Sequence, residues 1–372
     1  MKATFKKGDL LPVLSKVQGL TGRRTNLAIT TNILIKTDKK GLSISATDLE
    51  TGFEGFYPAD IEKEGLLAIN ARKFYEIVKD FPSDDVFLNE VENHWIEIGN
   101  QKVEYHIVGL NPDDFPEIPK IEDVEFFEID SMSLAKMIER AVIVSGTTDD
   151  KRAHIIGVYA ERIEEKKNKL FRFVSTDGSR LSKVDTILNK DANLPPGKNA
   201  MIPKKGLIEV GKFLDDEGTV KIGFKENNFV VQKDSETLII LLLEGDFPEY
   251  SDIIVKKGGN SIIFDRQLFL MMLKRMSILS SEDYKGVIFN FEKNQLVITS
   301  TNPDIGESKE DMDIEYSGDP ITVMFNPKFF IETLNVIDDD NVIINIVDEE
   351  KPCLIEGEKD KTYLSVIMPM RI

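Results

Sequence analysis

Six stretches of the chain place apolar residues at i, i+3, i+4 and i+7, the spacing that gives a helix one buried stripe. They are Leu10, Val13, Leu14 and Val17; Phe74, Ile77, Val78 and Phe81; Leu134, Met137, Ile138 and Ala141; Leu207, Val210, Gly211 and Leu214; Phe269, Met272, Leu273 and Met276; and Phe330, Thr333, Leu334 and Ile337. Gly211 and Thr333 are the weak members. The six starts, near residues 7, 72, 131, 203, 265 and 327, predict two helices in each third of the chain. Between them lie runs of alternating pattern, as expected of sheets with one buried and one wetter face. Leu42, Ile44 and Ala46 alternate with Ser43 and Ser45; Val103, Tyr105 and Ile107 with Glu104 and His106; Val220, Ile222 and Phe224 with Lys221 and Gly223. Turn-forming clusters such as "DKKG", "NPDD", "KENN" and "EKNQ" separate the runs. The fold class is α+β, helix pairs packed on antiparallel sheet.

The pattern repeats. Asp-Phe-Pro-Glu occurs at 114 and again at 246, 132 residues later. Thr47-Asp48, Thr176-Asp177 and Thr301-Asn302 each close an apolar run, at spacings of 129 and 125. Lys73, Lys205 and Lys328 sit in "INARKFYEIV", "MIPKKGLIEV" and "FNPKFFIETL" in the same relative place. Three copies of one two-helix unit therefore fill the chain, and the expected domains are 1–121, 122–252 and 253–372.

Composition narrows the function. With 372 residues, 41% hydrophobic and 30% charged, the chain reads as a soluble protein of several domains. It has no run of eighteen apolar residues, and "MKATFKKGDLLPVL" lacks a signal-peptide core, so a cytoplasmic location is expected. The single cysteine, Cys353, fits a reducing compartment. The three histidines, His94, His106 and His154, show no metal-ligand spacing, and neither a phosphate loop nor a nucleophile elbow is present. Asp48 and Asp177 recur, but Asn302 fills the third place, which favours turn capping over catalysis. Neither a catalytic residue nor a metal or cofactor is indicated. The net charge of −18 argues against nucleic acid at first sight. Yet the six helical segments hold 15 Lys and Arg against 7 Asp and Glu, about +8, leaving about −26 elsewhere. That segregation fits either ordinary solvated helix faces or a basic surface that meets phosphates.

Eight landmarks in order, "TDLE", "ARKF", "DDFPEI", "STDGSRL", "PKKGLIE", "GDFPEY", "ILSSEDYKGV" and "VIMPMRI", resemble those of the bacterial sliding clamp family, the beta subunit of DNA polymerase III. The resemblance implies three repeated DNA-clamp domains and a non-catalytic processivity factor. It implies a ring of two subunits joined head to tail, with helices lining a hole threaded by duplex DNA. The implied partners are double-stranded DNA read without sequence preference, a second copy of the chain, the DNA polymerase III alpha subunit, the clamp loader, and other polymerases and repair proteins, with no membrane. A clamp-fold paralogue in repair or inhibitor resistance is the alternative.

Arg24, Arg72, Lys204 and Lys205 match the family's DNA-facing positions; Lys136, Lys274 and Arg275 are added from helix position, with a plain solvated surface as their other reading. Asp149 and "RTNLAIT" depart from the family near that surface. Ring closure implies Tyr105 and Ile107 meeting Ile278 and Leu279, with Lys73 near Asp304; read without the family, Tyr105 and Ile107 are core residues of their own domain. A partner-peptide groove is implied at Arg152, His154, Ile155, Thr176, Gly178, Ser179, Arg180, Leu181, Pro248, Ile253, Asn326, Phe329, Val366, Met368, Pro369, Met370, Arg371 and Ile372. Ala153-His154 and Ser179 replace residues frequent in relatives, which bears on partner preference. Methionines suit a pocket that accepts several motifs, although the Met368–Ile372 stretch read alone is a frayed tail.

Overall fold

The computed structural model describes residues 1–22, 27–100, 102–119, 121–144, 152–165, 168–188, 200–256, 258–280 and 285–371. Among them, the six expected helices are α1 (Lys7–Thr21), α2 (Ala71–Asp80), α3 (Ser131–Val142), α5 (Lys204–Phe213), α6 (Arg266–Met276) and α7 (Pro327–Asn335). A one-turn helix, α4 (Ala153–Ile156), was not expected; four residues are too few to show a stripe. The stripes are buried as read, except that Phe213 takes the inward place expected of Leu214 and Ile77 is half-buried. Four helices start the same way: Asn70, Asp130, Asp265 and Asn326, each at or just past the end of a strand, accept from the N–H of Lys73, Ser133, Leu268 and Lys328 at 2.8–3.0 Å.

The chain packs as two compact units, one taking the described residues of Met1–Leu134 and Lys205–Leu242, the other those of Ala135–Lys190, Gly197–Lys204 and Leu243–Ile372. The division runs through the middle copy because the sheets join neighbouring copies. In the first unit, strand Glu236–Leu241 of copy two pairs with Thr51–Tyr57 of copy one, completing an eight-stranded sheet. In the second, Tyr363–Ile367 of copy three pairs with Arg180–Ile187 of copy two in the same way. At both joints, the strand that follows a Thr-Asp turn receives the last strand of the next copy.

Two strands in equivalent places lack such a mate among the described residues. Gly306–Asp313, which follows the Thr301-Asn302 turn, is the edge of a four-stranded sheet, and Glu104–Val108, the last strand of copy one, is the edge of a five-stranded sheet. The turns cap as expected: Asp48 accepts from Glu50 and Thr51 N–H, Asp177 from Ser179 and Arg180 N–H, and Asn302 from Asp304 N–H. Cys353 is fully buried, which pushes its thiol pKa up and leaves it inert.

Candidate functional site

The helix faces hold most of their expected cations in ion pairs. On α2, Arg72 and Lys73 both reach Glu76, at 3.0 and 2.9 Å, and hydrogen bonds from Lys73 and then Arg72 hold its carboxyl below the usual range. Lys205 on α5 lies 3.0 Å from Asp48 and 2.7 Å from Glu50. In the other unit, Lys136 on α3 is 2.6 Å from Asp338, and Arg275 on α6 donates through Nε to Glu310 at 2.9 Å. Lys274 is exposed and has no carboxylate partner among the described residues. Arg24 and Asp149 lie outside the described residues.

Lys204 corrects one expectation. It is buried, 7% exposed, and its ammonium donates to the carbonyls of Val144 and Ile155, the latter at 2.8 Å, so it does not face phosphate. Burial lowers its pKa to about 8. Adjacent lysines opening a helix point in different directions, which the spacing of landmarks does not reveal.

Within the second unit a groove forms around the turn at Thr176–Arg180. Thr176 Oγ1 donates to Arg180 O at 2.8 Å, and Gly178, at φ +88°, takes the left-handed corner that a side chain would strain. The turn aims Arg180 inward. Its guanidinium donates to Asp177 (3.0 Å) and to the Ile143 carbonyl (2.9 Å), Nη1 lies 2.5 Å from Glu332 as an ion pair without hydrogen-bond geometry, and Phe329 lies over it with 4.3 Å to the ring centroid. Met368 N–H donates to Ser179 O at 2.9 Å and Met370 N–H to Met324 O at 2.8 Å, so this segment is laced in place instead of frayed.

Of the residues expected in the groove, Gly178, Ser179, Asn326, Phe329, Met368, Pro369 and Met370 line it. Thr176, Arg180, Leu181 and Val366 are buried; Leu181 and Val366 belong to a cluster with Tyr250 and Leu364. Arg152, His154, Ile155, Pro248 and Ile253 do not line this pocket, Arg371 is exposed, and Ile372 lies outside the described residues. Ser277, Ser280, Lys285, Pro327, Lys328 and Ile331 line it and were missed. Their signal was at hand, since "ILSSED" and "FNPKFF" had already been singled out as landmarks.

Exposed apolar side chains stand on one open edge and beside the other. On Glu104–Val108, Tyr105 stands opposite Ile98 and Ile107 opposite Ile96, extending the core-facing side of the sheet. Lacking a further strand, Tyr105 stays 38% exposed, which removes the reading of it as an ordinary core residue. The other edge, Gly306–Asp313, is mostly charged; beside it Ile278, in the turn Ser277–Leu279, is 74% exposed and Ile305, just before the strand, 62%. Lys73 is taken up by Glu76, while Asp304 is exposed. Glu97, Glu104 and His106 bring ligand-type atoms within 4.8 Å of one another, and His106 Nε2 already lies 3.0 Å from Glu104.

Models of the N-terminal, central and C-terminal domains of the DNA polymerase III beta subunit match residues 1–119, 128–249 and 252–371 in that order. The chain belongs to the beta sliding clamp family. Along its whole length it is 28% identical to the beta sliding clamp of Vibrio cholerae and 26% identical to that of Chlamydia pneumoniae, covering 100% and 99% of them. Its fold is similar to the solved DNA polymerase III beta subunit of Eubacterium rectale, with TM-score 0.92, 28% identity and all of both chains covered. It is likewise similar to the sliding clamp of Bacillus subtilis, with TM-score 0.92, 26% identity and 99% of that chain covered. A clamp of Bartonella birtlesii solved with griselimycin bound is 25% identical, with TM-score 0.91. No helix among the described residues is long and apolar enough to cross a membrane.

Proposed function

We propose that the chain forms a head-to-tail ring of two copies around duplex DNA and tethers a replicative polymerase through its groove. One observation carries the ring. Both sheet joints inside the chain put the last strand of one copy against the strand after the Thr-Asp turn of the copy before it. Two strands of those kinds, Glu104–Val108 and Gly306–Asp313, are left as open edges. An unpaired edge is a template for another strand, so a second chain completes the third joint in the pattern of the other two, and two such joints close a ring of six domains. We place the domain boundaries at 121 and 252.

A closed ring holds DNA by topology, so its inner surface makes phosphate contacts without base readout and performs no chemistry. Apolar packing dominates closure. Burying Tyr105, Ile107, Ile278 and Leu279 stabilises by roughly 1.5–3 kcal/mol per side chain, against about 1 kcal/mol or less for an exposed pair such as Lys73 with Asp304. In the groove, Met368 and Met370 with Phe329 offer an adaptable apolar pocket for short peptides of the polymerase alpha subunit, the loader and repair proteins. The test is sedimentation of Ile278→Glu with Leu279→Glu, read with synthesis on a primed circular template by the polymerase and loader of the same organism. The wild type sediments as a dimer and supports long products; the variant sediments as a monomer and does not. A variant that stays dimeric and processive overturns the reading.

A further inference from the structure

We infer that the helix faces offered to DNA hold most of their positive charge already paired, four of the five candidate cations there carrying a carboxylate, so that binding to DNA is weak and only shallowly dependent on salt. This rests on the proposal that those faces meet DNA. Of the five candidates, four exposed and Lys205 half-buried, Arg72, Lys136, Lys205 and Arg275 hold Glu76, Asp338, Asp48 with Glu50, and Glu310; Lys274 alone has no such partner among the described residues. On α6 the surface between cations is apolar, with Leu268 59% and Met271 48% exposed.

The consequence follows from counterion balance. A free cation that meets a phosphate releases the salt ion condensed there, and the released ions give a salt slope of about 0.9 per contact. A cation already paired must first leave its carboxylate, which then takes up a salt cation of its own. Release and uptake offset one another, so the contact gains little entropy and exchanges readily. Glu76, Asp338, Glu50 and Glu310 thus act as tuning residues: they keep a basic surface from gripping the DNA it surrounds. The chain's net charge of −18 and its basic helices then serve one end, a lining that neither repels nor holds the duplex.

The experiment is fluorescence anisotropy of the full-length protein on a labelled linear duplex of about 30 base pairs, titrated between about 25 and 200 mM KCl. Glu76→Gln with Glu310→Gln frees Arg72, Lys73 and Arg275 without changing side-chain shape. Glu92→Gln with Glu349→Gln, both exposed and outside those helices, is the charge-matched control. The expected result is tighter binding by the first variant at low salt, with a salt slope steeper by up to about 0.9 per freed cation, and no such steepening in the control. An equal gain in the control overturns the inference. So does an unchanged first variant when Arg72→Ala with Lys274→Ala weakens binding, which leaves the DNA surface standing. If the alanine variant is also silent, the DNA surface itself is wrong and the inference falls with it.

Discussion

The groove and the helix faces both present cations with carboxylate partners, and the two regions use them in opposite ways. Arg180 is 5% exposed, with its guanidinium hydrogen-bonded to Asp177 and the Ile143 carbonyl, close to the Glu332 carboxylate and covered by Phe329. Arg275 sits in solvent with one partner, Glu310. A buried pair that loses a member leaves an uncompensated charge in a poor solvent, whereas an exposed pair gains little and can be traded for another anion. The first is scaffold for a binding pocket. On the reading proposed above, the second is a surface that exchanges partners, as a sliding contact requires.

That contrast can be broken at several points. Arg180→Ala should cost about 3–5 kcal/mol of stability in denaturant unfolding, since it removes the buried cation that Asp177 and Glu332 share; a loss under about 1 kcal/mol would put Arg180 in the same class as Arg275. Removing Met368 to Ile372 should cut affinity for a polymerase-derived peptide by about a hundredfold, roughly 2.7 kcal/mol, with the dimer intact. Retained affinity by calorimetry would place the peptide elsewhere.

Lys204→Met should cost about 1–3 kcal/mol, because two buried carbonyls lose their donor. Its pH dependence sharpens the point. The folded pKa of about 8 lies below the ordinary 10.5. Between those values the unfolded chain binds the extra proton, and wild-type stability rises with pH. The variant lacks that slope, so the gap between the two widens from about pH 8 to 10.5; parallel curves would refute the buried cation. The smallest effect is Arg275→Ala, within about 1 kcal/mol of wild type.

The legible part of this structure was the part that repeats. Helix stripes, caps and turns recur three times, so Asp48, Asp177 and Asn302 identified one another, and the laced Met368–Met370 segment was reached through a family landmark. Strand partnership was not legible. The pairing of Leu238 with Phe53 or of Ser182 with Ser365 joins residues 185 and 183 apart, and nothing local encodes it. Nor was side-chain direction: Lys204 and Lys205 are neighbours with the same letter, one buried under carbonyls and one paired at the surface. Pocket lining suffered likewise. Ser280 and Lys328 reach the groove from landmarks already noted, while Leu181 and Val366 turn into the core beneath it.

The central claim is that the chain holds DNA by encircling it. The direct measurement is retention: load the protein with its clamp loader and ATP onto nicked circular plasmid, gel-filter in high salt, and repeat after cutting the plasmid once. The account predicts that the protein co-elutes with the circle and is lost from the linear form. Equal retention on both, or none on a circle that retains a known clamp loaded in parallel, would contradict it.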